Sequence, residues 1–250
     1  MFDRPVIEAI RRHAIEAWPR EACGLVVAGE YVPCANLHAE PDGHGTIGVA
    51  ELMAARARGL EAVVHSHPKA AEDAHYIDYP SAVDMRSQLA DAVPYGIVCT
   101  DGETATTPFW FGDQAPMPPL IGRGFRHGVT DCLSLIRDWY WSERRIRIKE
   151  FPREWEWWLE TGDANPHFYR DCFAAAGFVE IDGAPEPGDV FRVSLRSATP
   201  NHAGIYLGGS MGLHHLTSRL PVDPTRLSLR EPIGRWSGLI QEHRWLRYRG

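Results

Sequence analysis

Apolar and polar positions along the first 110 residues follow two different periods. Apolar side chains recur at helical spacing between Val6 and Trp18, which predicts an amphipathic helix at the start of the chain. Short apolar runs predict strands, and stretches of helical periodicity separate them. The predicted strands are CGLVVAG, EAVVHSH and YGIVCT, and the predicted helices between them are VAELMAARARG and SAVDMRSQLADA. This alternation is typical of a three-layered α/β domain.

The order of predicted elements changes in the second half of the chain. Helices come first, over DCLSLIRDWYWSERR, EWEWWLE and PHFYRDCFAAAG, and strands follow, over GDVFRVSL, HAGIYLGG, GLHHLT and HRWLRYR. Segregated helices and strands indicate an α+β domain. Four prolines and three glycines in PFWFGDQAPMPPLIGRG separate the two halves. We therefore predict an N-terminal domain over 1–115, a linker over 116–124 and a C-terminal domain over 125–250.

Composition narrows the class of protein. The net charge is −7 and no long basic run is present, so nucleic acid is not expected as a partner. The apolar stretches are too short to span a bilayer, and charges interrupt the N-terminal ones, so neither a transmembrane segment nor a signal peptide is predicted. The five cysteines, an odd number, fit free thiols in a reducing compartment better than a disulfide scaffold.

Two histidines at the end of the strand EAVVHSH suggest a metal site. His65 and His67 lie two residues apart, so their imidazoles point to the same face of the strand. Further on, Ser81 is predicted to be the N-cap of a helix, with Asp84 in its first turn. Two imidazoles and a carboxylate form a three-ligand zinc set that leaves a fourth position for water, whose pKa zinc lowers to about 7. Glu21, at the start of a predicted buried strand, is the best candidate for the acid/base group.

The same residues also allow an interpretation without a metal. A His-x-His pair lies on a protein surface more often than in a metal site. The Ser-x-x-Asp pattern also caps a helix without any ion. The pattern by itself therefore leaves both interpretations open.

Three segments together resemble the signature of the JAMM (MPN+) metalloproteases, which are zinc isopeptidases and related hydrolases. The segments are EACGL, HSHP and PSAVD. The resemblance implies one catalytic Zn²⁺ held by His65, His67 and Asp84. It also implies that Glu21 is the general acid/base and that Ser81 stabilises the oxyanion.

The spacer between HSHP and PSAVD departs from the family. Residues 69–79, KAAEDAHYIDY, are several residues longer than the usual spacer. Loop length alone costs little free energy. The insert does contain three other potential ligands that could replace Asp84, namely Asp73, His75 and Asp78.

A second group of reactive side chains lies in the C-terminal half. Cys132 follows two potential capping residues, Thr130 and Asp131, and a thiol at a helix N-terminus has its thiolate favoured by the helix dipole. His202 begins a predicted strand and could act as the base that a cysteine nucleophile needs. His214 and His215 lie on a predicted neighbouring strand, where only one of them can share the face of His202. The alternative is that Cys132 is a structural thiol, as Asp-Cys at 171–172 is predicted to be, and that the histidines are satisfied strand residues.

The segments DCLSLI, PGDV, HAGIYLG and LHH resemble the NlpC/P60 peptidases. That family has a papain-like fold and often cleaves stem-peptide bonds of bacterial peptidoglycan. The resemblance implies that Cys132 is the nucleophile, His202 the base and His214 the third polar residue. The usual DCSG is DCLS here, which leaves the nucleophile in place. His127 is a further candidate for lining the cleft, and His215 is expected to point away from His214's face.

A JAMM-like domain followed by an NlpC/P60-like domain resembles the tail-tip assembly protein K family of lambda-like bacteriophages. The segments RHGVTDCLSLIRDWY, FPREWEWW, PGDVFRV and NHAGIYLGGSMGLHHLTSRL carry this resemblance. It implies a protein that is made in the host cytoplasm and then assembled with other tail-tip proteins into the virion. It also implies cleavage of peptidoglycan stem peptides by the C-terminal half during genome entry.

Three functions are compatible with these features. The first is a bifunctional hydrolase with a zinc peptidase half and a cysteine peptidase half. The second is a structural tail-tip assembly protein or plug, whose catalytic sites are vestigial or used once. The third is a ubiquitin-type isopeptidase that acts inside the host cell.

Overall fold

The structure is a computed structural model. It describes residues 1–69, 77–159 and 167–250, with side chains throughout except at 241–243. The chain forms two compact units, Met1–Pro116 and Met117–Gly250. None of the described helices combines the length and apolarity needed to cross a bilayer.

The described residues of the first unit form three helices and five strands. In chain order these are α1 (Arg4–Ala17), β1 (Cys23–Val27), β2 (Glu30–Cys34), α2 (Val49–Ala57), β3 (Leu60–Pro68), α3 (Ala82–Asp91), β4 (Tyr95–Thr100) and β5 (Phe109–Phe111). The strands form one sheet in the order β2-β1-β3-β4-β5, in which only the β3–β4 pair is parallel.

The two faces of this sheet are covered by different helices. The buried face of α1 packs on alternate residues of the central strands, including Val26, Val64 and Val98. Successive strand residues point to opposite faces, so His65 and His67 lie on the face away from α1. The N-terminus of α3 lies on that second face, because Asp84 reaches His65. The unit is therefore the three-layered α/β domain that the sequence predicts.

All six elements predicted for this unit are present, and two short strands were missed. β2 was missed because only its last residue, Cys34, is buried and because it contains Pro33, and β5 because it has only three residues. The predicted position of Glu21 at the start of a strand is slightly wrong. Glu21 lies two residues before β1, opposite the end of β3.

In the second unit, the described residues surround a six-stranded antiparallel sheet. Its elements are β6 (Gly124–Arg126), α4 (Cys132–Arg144), α5 (Phe168–Ala175), β7 (Phe178–Ile181), β8 (Val190–Val193), β9 (His202–Gly208), β10 (Met211–His214), β11 (Val222–Leu227), β12 (Leu229–Pro232), a 3₁₀ helix (Ile233–Trp236), α6 (Ser237–His243) and β13 (Trp245–Tyr248). The sheet order is β12-β10-β9-β8-β13-β7, and β6 pairs with β11 separately.

The core of the second unit lies between α4, α5 and the sheet. Leu133, Leu135 and Ile136 of α4 are buried against Ala203 and Ile205 of β9. α4 therefore holds its first residue, Cys132, close to the start of β9, where His202 lies. Cys172 of α5 is buried in the same core.

The helix predicted over EWEWWLE, residues 154–160, is wrong. The described part of this segment forms turns, and Glu156 has a left-handed φ of 59° that a helix cannot contain. Tertiary packing explains the difference, because the tryptophans contact partners in different directions. Trp155 packs edge-on against Phe125, whereas Trp157 packs against Phe168 and Tyr169 in the core.

Two candidate catalytic sites

β3 brings His65 and His67 together on one face of the first sheet. Their ring centroids lie 5.0 Å apart and their Nε2 atoms 3.1 Å apart. The strand is anchored on both sides, because His65 pairs with Cys23 of β1 and with Ile97 of β4. Both imidazoles are therefore fixed on a rigid central strand rather than on a loop.

The N-terminus of α3 brings Asp84 to the same point. Ser81 is the N-cap, its backbone N–H and its hydroxyl each donate to Asp84 Oδ2 at 2.8 Å, and Asp84 N donates to Ser81 Oγ at 3.1 Å. Asp84 Oδ1 lies 3.2 Å from His65 Nε2, and Oδ2 lies 3.7 Å from His67 Nε2. The carboxylate that was predicted to cap the helix is thus also the one that was predicted to bind the metal.

The donor set formed by these three side chains fits a zinc ion. One ligand atom from each of His65, His67 and Asp84 lies within 4.8 Å of the other two. Two imidazole nitrogens and one carboxylate oxygen are the ligands of catalytic zinc sites. His67 Nδ1 lies 2.5 Å from the carbonyl oxygen of Ile77, and donation to that oxygen leaves the Nε2 lone pair for a metal.

Electrostatics also indicate a cation position at this point. Burial, and then the neighbouring His65, lower the pKa of His67 to about 4. Burial also lowers the pKa of His65, but Asp84 more than offsets this effect and the pKa is raised. Burial opposes the charge of Asp84, yet the two histidines and Ser81 hold its pKa well below the usual range. The carboxylate therefore stays ionised and attracts one positive charge, a proton or a metal, beside His65.

Glu21 is buried next to the histidine pair. Its side chain is confined by Gly45, where an added Cβ would lie 2.9 Å from both Glu21 Oε2 and Cys23 Sγ. Asn36 ties this loop together by donating to the carbonyls of Glu21 and His44 at 3.1 and 2.8 Å. Burial, partly offset by His65, raises the pKa of Glu21 to about 7. A carboxyl group with such a pKa can both accept and return a proton near neutral pH.

Of the three alternative ligands in the insert, only Asp78 is among the described residues. Asp73 and His75 lie outside the described residues. Asp78 is described, but it does not belong to the one three-residue metal-ligand group found among the described residues. The predicted role of Ser81 at the oxyanion stays a prediction, since its hydroxyl donates to Asp84 in this arrangement.

The second site begins at the N-terminus of α4. Asp131 is the N-cap and accepts hydrogen bonds from the backbone of Gly128 and Ser134. Arg153 binds Asp131 Oδ2 through Nε at 3.0 Å and Nη2 at 2.7 Å. This buried ion pair fixes the first turn of the helix and hence the position of Cys132.

The Cys132 thiol is protonated at neutral pH. Burial, and then the charge of Asp131, raise its pKa to about 11, while hydrogen bonds from Tyr169 and the backbone of Ala203 lower it less. Tyr169 Oη lies 2.9 Å from Cys132 Sγ. The helix N-terminus was expected to favour the thiolate, but burial outweighs it. A base must therefore remove the proton during any reaction.

His202 and His214 face each other on neighbouring strands. His202 Nε2 lies 3.0 Å from His214 Nδ1, and His214 Nε2 lies 2.9 Å from Glu231 Oε1. Burial lowers the pKa of both rings, that of His202 well below its usual value. His202 Nδ1 is buried and has no hydrogen-bond partner among the described residues. Nδ1 of His202 is thus left for another group. Cys132 lies beside Ala203, the residue that follows His202 in the chain.

The other histidines considered for this site have structural contacts. His215 points away from His214, with Nε2 2.7 Å from the carbonyl oxygen of Arg226 and its ring edge-on to Phe125. His127 is buried, with Nε2 3.0 Å from the carbonyl oxygen of Arg153. It therefore packs against the Asp131–Arg153 ion pair at the N-terminus of α4 rather than lining an open cleft.

Three residues at this site were not identified from the sequence. Tyr169 contacts the thiol, Arg153 holds the helix cap and Glu231 contacts His214. They lie 37, 22 and 17 residues from their partners along the chain. Only the packing of α5 and the pairing of β10 with β12 bring the first and last of them into place, and no local pattern marks them.

Comparison with known families agrees with this division. Residues 3–111 match the family of prokaryotic homologs of the JAB domain. Residues 107–231 match the NlpC/P60 family. The order of the two matches is the order of the two units.

Two curated proteins are similar to the chain over most of its length. The tail tip assembly protein K of Escherichia phage N15 is 34% identical over 220 residues, which cover 86% of this chain and 85% of that protein. The tail tip assembly protein K of Escherichia phage lambda is 35% identical over 173 residues, which cover 69% and 74% respectively.

Proposed function

The chain belongs to the family of phage tail tip assembly proteins K, with a JAB-like domain followed by an NlpC/P60 domain, and we propose that it is a bifunctional hydrolase of the tail tip. Its N-terminal half is a zinc-dependent peptidase or isopeptidase, and its C-terminal half is a cysteine endopeptidase. The observation that carries this proposal is that each unit contains the reactive side chains of one such enzyme. His65, His67 and Asp84 meet in the first unit, and in the second Cys132 lies beside Ala203, the residue that follows His202.

In the N-terminal half, His65, His67 and Asp84 are proposed to hold one catalytic zinc ion. Zinc bound there would act as a Lewis acid and would lower the pKa of a water molecule to about 7. Glu21 is then the group that accepts a proton from the attacking water and delivers it to the leaving amine. Its buried position supports this role, because its pKa of about 7 allows both steps.

In the C-terminal half, His202 is proposed to take the Cys132 proton on Nδ1. The sulfur then bonds to the carbonyl carbon of the substrate, and the amine leaves with the proton from His202. Water cleaves the resulting thioester, returning a proton to His202 and then to the sulfur. Tyr169 supports the sulfur, because burial raises its pKa well above the usual value and keeps it a hydrogen-bond donor.

The proposed substrate of the cysteine site is a stem-peptide bond of peptidoglycan. We infer that the protein is made in the host cytoplasm and joins other tail-tip proteins in the virion. There the C-terminal half opens peptidoglycan during genome entry. The zinc site acts on a tail protein or a host protein. The names of the two relatives, which describe tail tip assembly, support this setting.

The cysteine site is tested with Cys132→Ala on purified peptidoglycan. The wild type is expected to release stem peptides, and Cys132→Ala is expected to release none above background. Cys172→Ala is the matched control, since it removes another buried thiol from the same core. If Cys132→Ala releases as much peptide as the wild type, the lytic function is wrong for this substrate.

The zinc site is tested by metal analysis of the purified protein. We expect near-stoichiometric zinc in the wild type and little in Asp84→Ala, because two imidazoles alone leave the ion without its carboxylate ligand. Asp78→Ala is the control and is expected to retain zinc. Zinc retained by Asp84→Ala and lost by Asp78→Ala would instead assign the third ligand to the insert.

A structural role in tail assembly is the second candidate. The observation in its favour is that Cys132 and His202 are almost fully buried, with 3% and 0% of their surface exposed. The double variant His65→Ala, Cys132→Ala separates the two functions. If the double variant still gives normal tails and infectious particles, while removal of the whole chain does not, the protein acts as a plug or assembly factor.

A further inference from the structure

Glu231 lies at the end of a hydrogen-bonded chain that starts at His202. It belongs to β12, which pairs with β10 and so brings Glu231 beside His214. Glu231 Oε1 contacts His214 Nε2 and Trp236 Nε1, each at 2.9 Å, and Oε2 contacts Arg235 Nη1 at 2.7 Å. Trp236 and Arg235 have only N–H groups to offer at these atoms, so both donate. Glu231 is therefore an acceptor toward both of its non-histidine partners.

The protonation state of Glu231 is fixed by the same contacts. Burial raises the pKa of its carboxyl group, but the hydrogen bonds from Trp236, Arg235 and His214 outweigh burial and the pKa is lowered. The group is therefore an anion at neutral pH and can only accept a hydrogen bond from His214 Nε2. This single constraint determines which ring nitrogens of His214 and His202 carry the protons.

An anionic Glu231 sets the tautomers of both imidazoles. His214, neutral because burial lowers its pKa, must carry its proton on Nε2 and so has a lone pair on Nδ1. That lone pair accepts from His202 Nε2, 3.0 Å away, so the proton of His202 is on Nε2. The lone pair of His202 then lies on Nδ1, the nitrogen without a partner among the described residues.

We propose that Glu231 is a positioning residue of the cysteine site, which acts through His214 to hold His202 in the tautomer whose Nδ1 can take the Cys132 proton. This inference rests on the proposed function of Cys132 and His202. The same negative charge stabilises the imidazolium that forms when His202 becomes protonated.

The other charged groups near this hydrogen-bonded chain affect the two imidazoles less than Glu231 does, or in the opposite direction. Arg235 shares the Glu231 carboxylate, but 70% of its side chain is exposed, so solvent screens its charge. His215 lies near His202, and its pKa is lowered, mainly by burial, so it is neutral at pH 7. The aromatic rings of Phe191 and Trp236 form the remaining contacts of the two imidazoles. Glu231 is thus the only anion that directly contacts this pair among the described residues.

The test uses Glu231→Gln in the full-length protein. A glutamine has one acceptor oxygen for three donors, so it cannot satisfy His214, Trp236 and Arg235 together. The readout is the rate at which iodoacetamide alkylates Cys132, followed by mass spectrometry of its tryptic peptide between pH 6 and pH 11. We expect a rate about 10-fold or more below that of the wild type at pH 7. Loss of the orienting carboxylate in a serine-protease triad costs about 10⁴-fold, and the effect here passes through two rings.

The pH dependence separates positioning from a structural role. The rates of the variant and the wild type should converge near pH 11, where the Cys132 thiol ionises without a base. General damage to the fold would instead expose the buried thiol and raise its alkylation rate at every pH. Glu186→Gln, which makes the same chemical change at an exposed ion pair with Arg247, is expected to match the wild type. Equal profiles for Glu231→Gln and the wild type would overturn the proposal.

A measurement on the unaltered protein covers the case in which the variant does not fold. Histidine ¹⁵N shifts report which ring nitrogen carries the proton, and His202 is assigned from the signals lost in His202→Gln. We expect the His202 proton on Nε2, and a proton on Nδ1 would overturn the inference. Failure of the proposed function is a separate result, since Cys132→Ala would then release stem peptides like the wild type.

Discussion

At the scale of single residues, burial decides the state of the proposed nucleophile. A helix N-terminus lowers the pKa of a thiol. Cys132 has that position, yet its pKa is raised to about 11 because almost none of its surface is exposed and Asp131 is adjacent. The thiol therefore depends on a base and on hydrogen-bond donors to ionise. Tyr169, the backbone of Ala203 and, to a smaller extent, the charge of Arg153 favour the thiolate.

Tyr169→Phe is predicted to make Cys132 less reactive. The Tyr169 hydroxyl lies 2.9 Å from Cys132 Sγ and lowers the pKa of the thiol, so its loss should raise that pKa further. We expect alkylation of Cys132 by iodoacetamide at pH 9 to slow several-fold. Tyr206→Phe is the control, because its hydroxyl accepts a hydrogen bond from the backbone of the exposed Ser210. Faster alkylation of Tyr169→Phe would show that Tyr169 acts mainly as a cover over the thiol.

At the scale of elements, the sites are formed where an element begins or ends. β3 ends in the histidine pair, α3 begins with the Ser81–Asp84 capping box, and α4 begins with Asp131 and Cys132. Element ends carry free backbone groups that side chains must satisfy. The capping residues therefore stabilise the helix ends and also belong to the candidate sites. The stability that a capping carboxylate contributes to the fold depends on pH.

Asp131→Asn is predicted to destabilise the second unit at neutral pH. The substitution removes one of the two carboxylates that bind the buried Arg153 and leaves Glu150 as the other, so we expect a loss at the lower end of the about 3–5 kcal/mol that breaking a buried ion pair costs. Tryptophan fluorescence during urea unfolding measures this change, because only Trp18 and Trp110 of the nine tryptophans lie outside the second unit. Asp182→Asn, at an exposed ion pair, should change the free energy of unfolding by less than about 1 kcal/mol.

The difference between wild type and Asp131→Asn should also depend on pH. Burial opposes the charge of Asp131, but Arg153 and His127 hold its pKa well below the usual range in the folded state. The contribution of the carboxylate is therefore complete above the unfolded pKa, about 3.9, and is lost as the pH falls towards the folded value. We expect a constant difference from pH 7 to about pH 5 and a smaller one at pH 3. A difference that grows on acidification would contradict this assignment.

At the scale of the whole molecule, each site is contained in one unit. Glu21, His65, His67, Ser81 and Asp84 all precede Pro116, whereas the groups around Cys132 all follow it. The chain therefore supplies each chemistry from a separate core. We predict that removing metal with a chelator leaves the alkylation rate of Cys132 unchanged, while zinc content falls to background. A change in the Cys132 rate after chelation would indicate coupling between the sites.

The sequence predicted more of the first site than of the second. In the first, the period of a strand places His65 and His67 on one face, and the capping pattern places Ser81 and Asp84 at a helix start. These are local rules, and the structure follows them. In the second, the helix over EWEWWLE was wrong, and Tyr169 and Glu231 were missed. Those features depend on contacts between segments that are far apart in the chain.

The sequence by itself determined the two-part α/β and α+β organisation, the family and the residues with reactive side chains. Periodicity and capping are local properties, so they can be read from neighbouring positions. Only the tertiary structure decided the environment of those side chains. It buried Cys132 and raised its pKa, set Glu21 near neutral, and joined Glu231 to His214 through the pairing of β10 with β12. Burial and strand order arise from the packing of distant segments, and no short stretch of sequence encodes them.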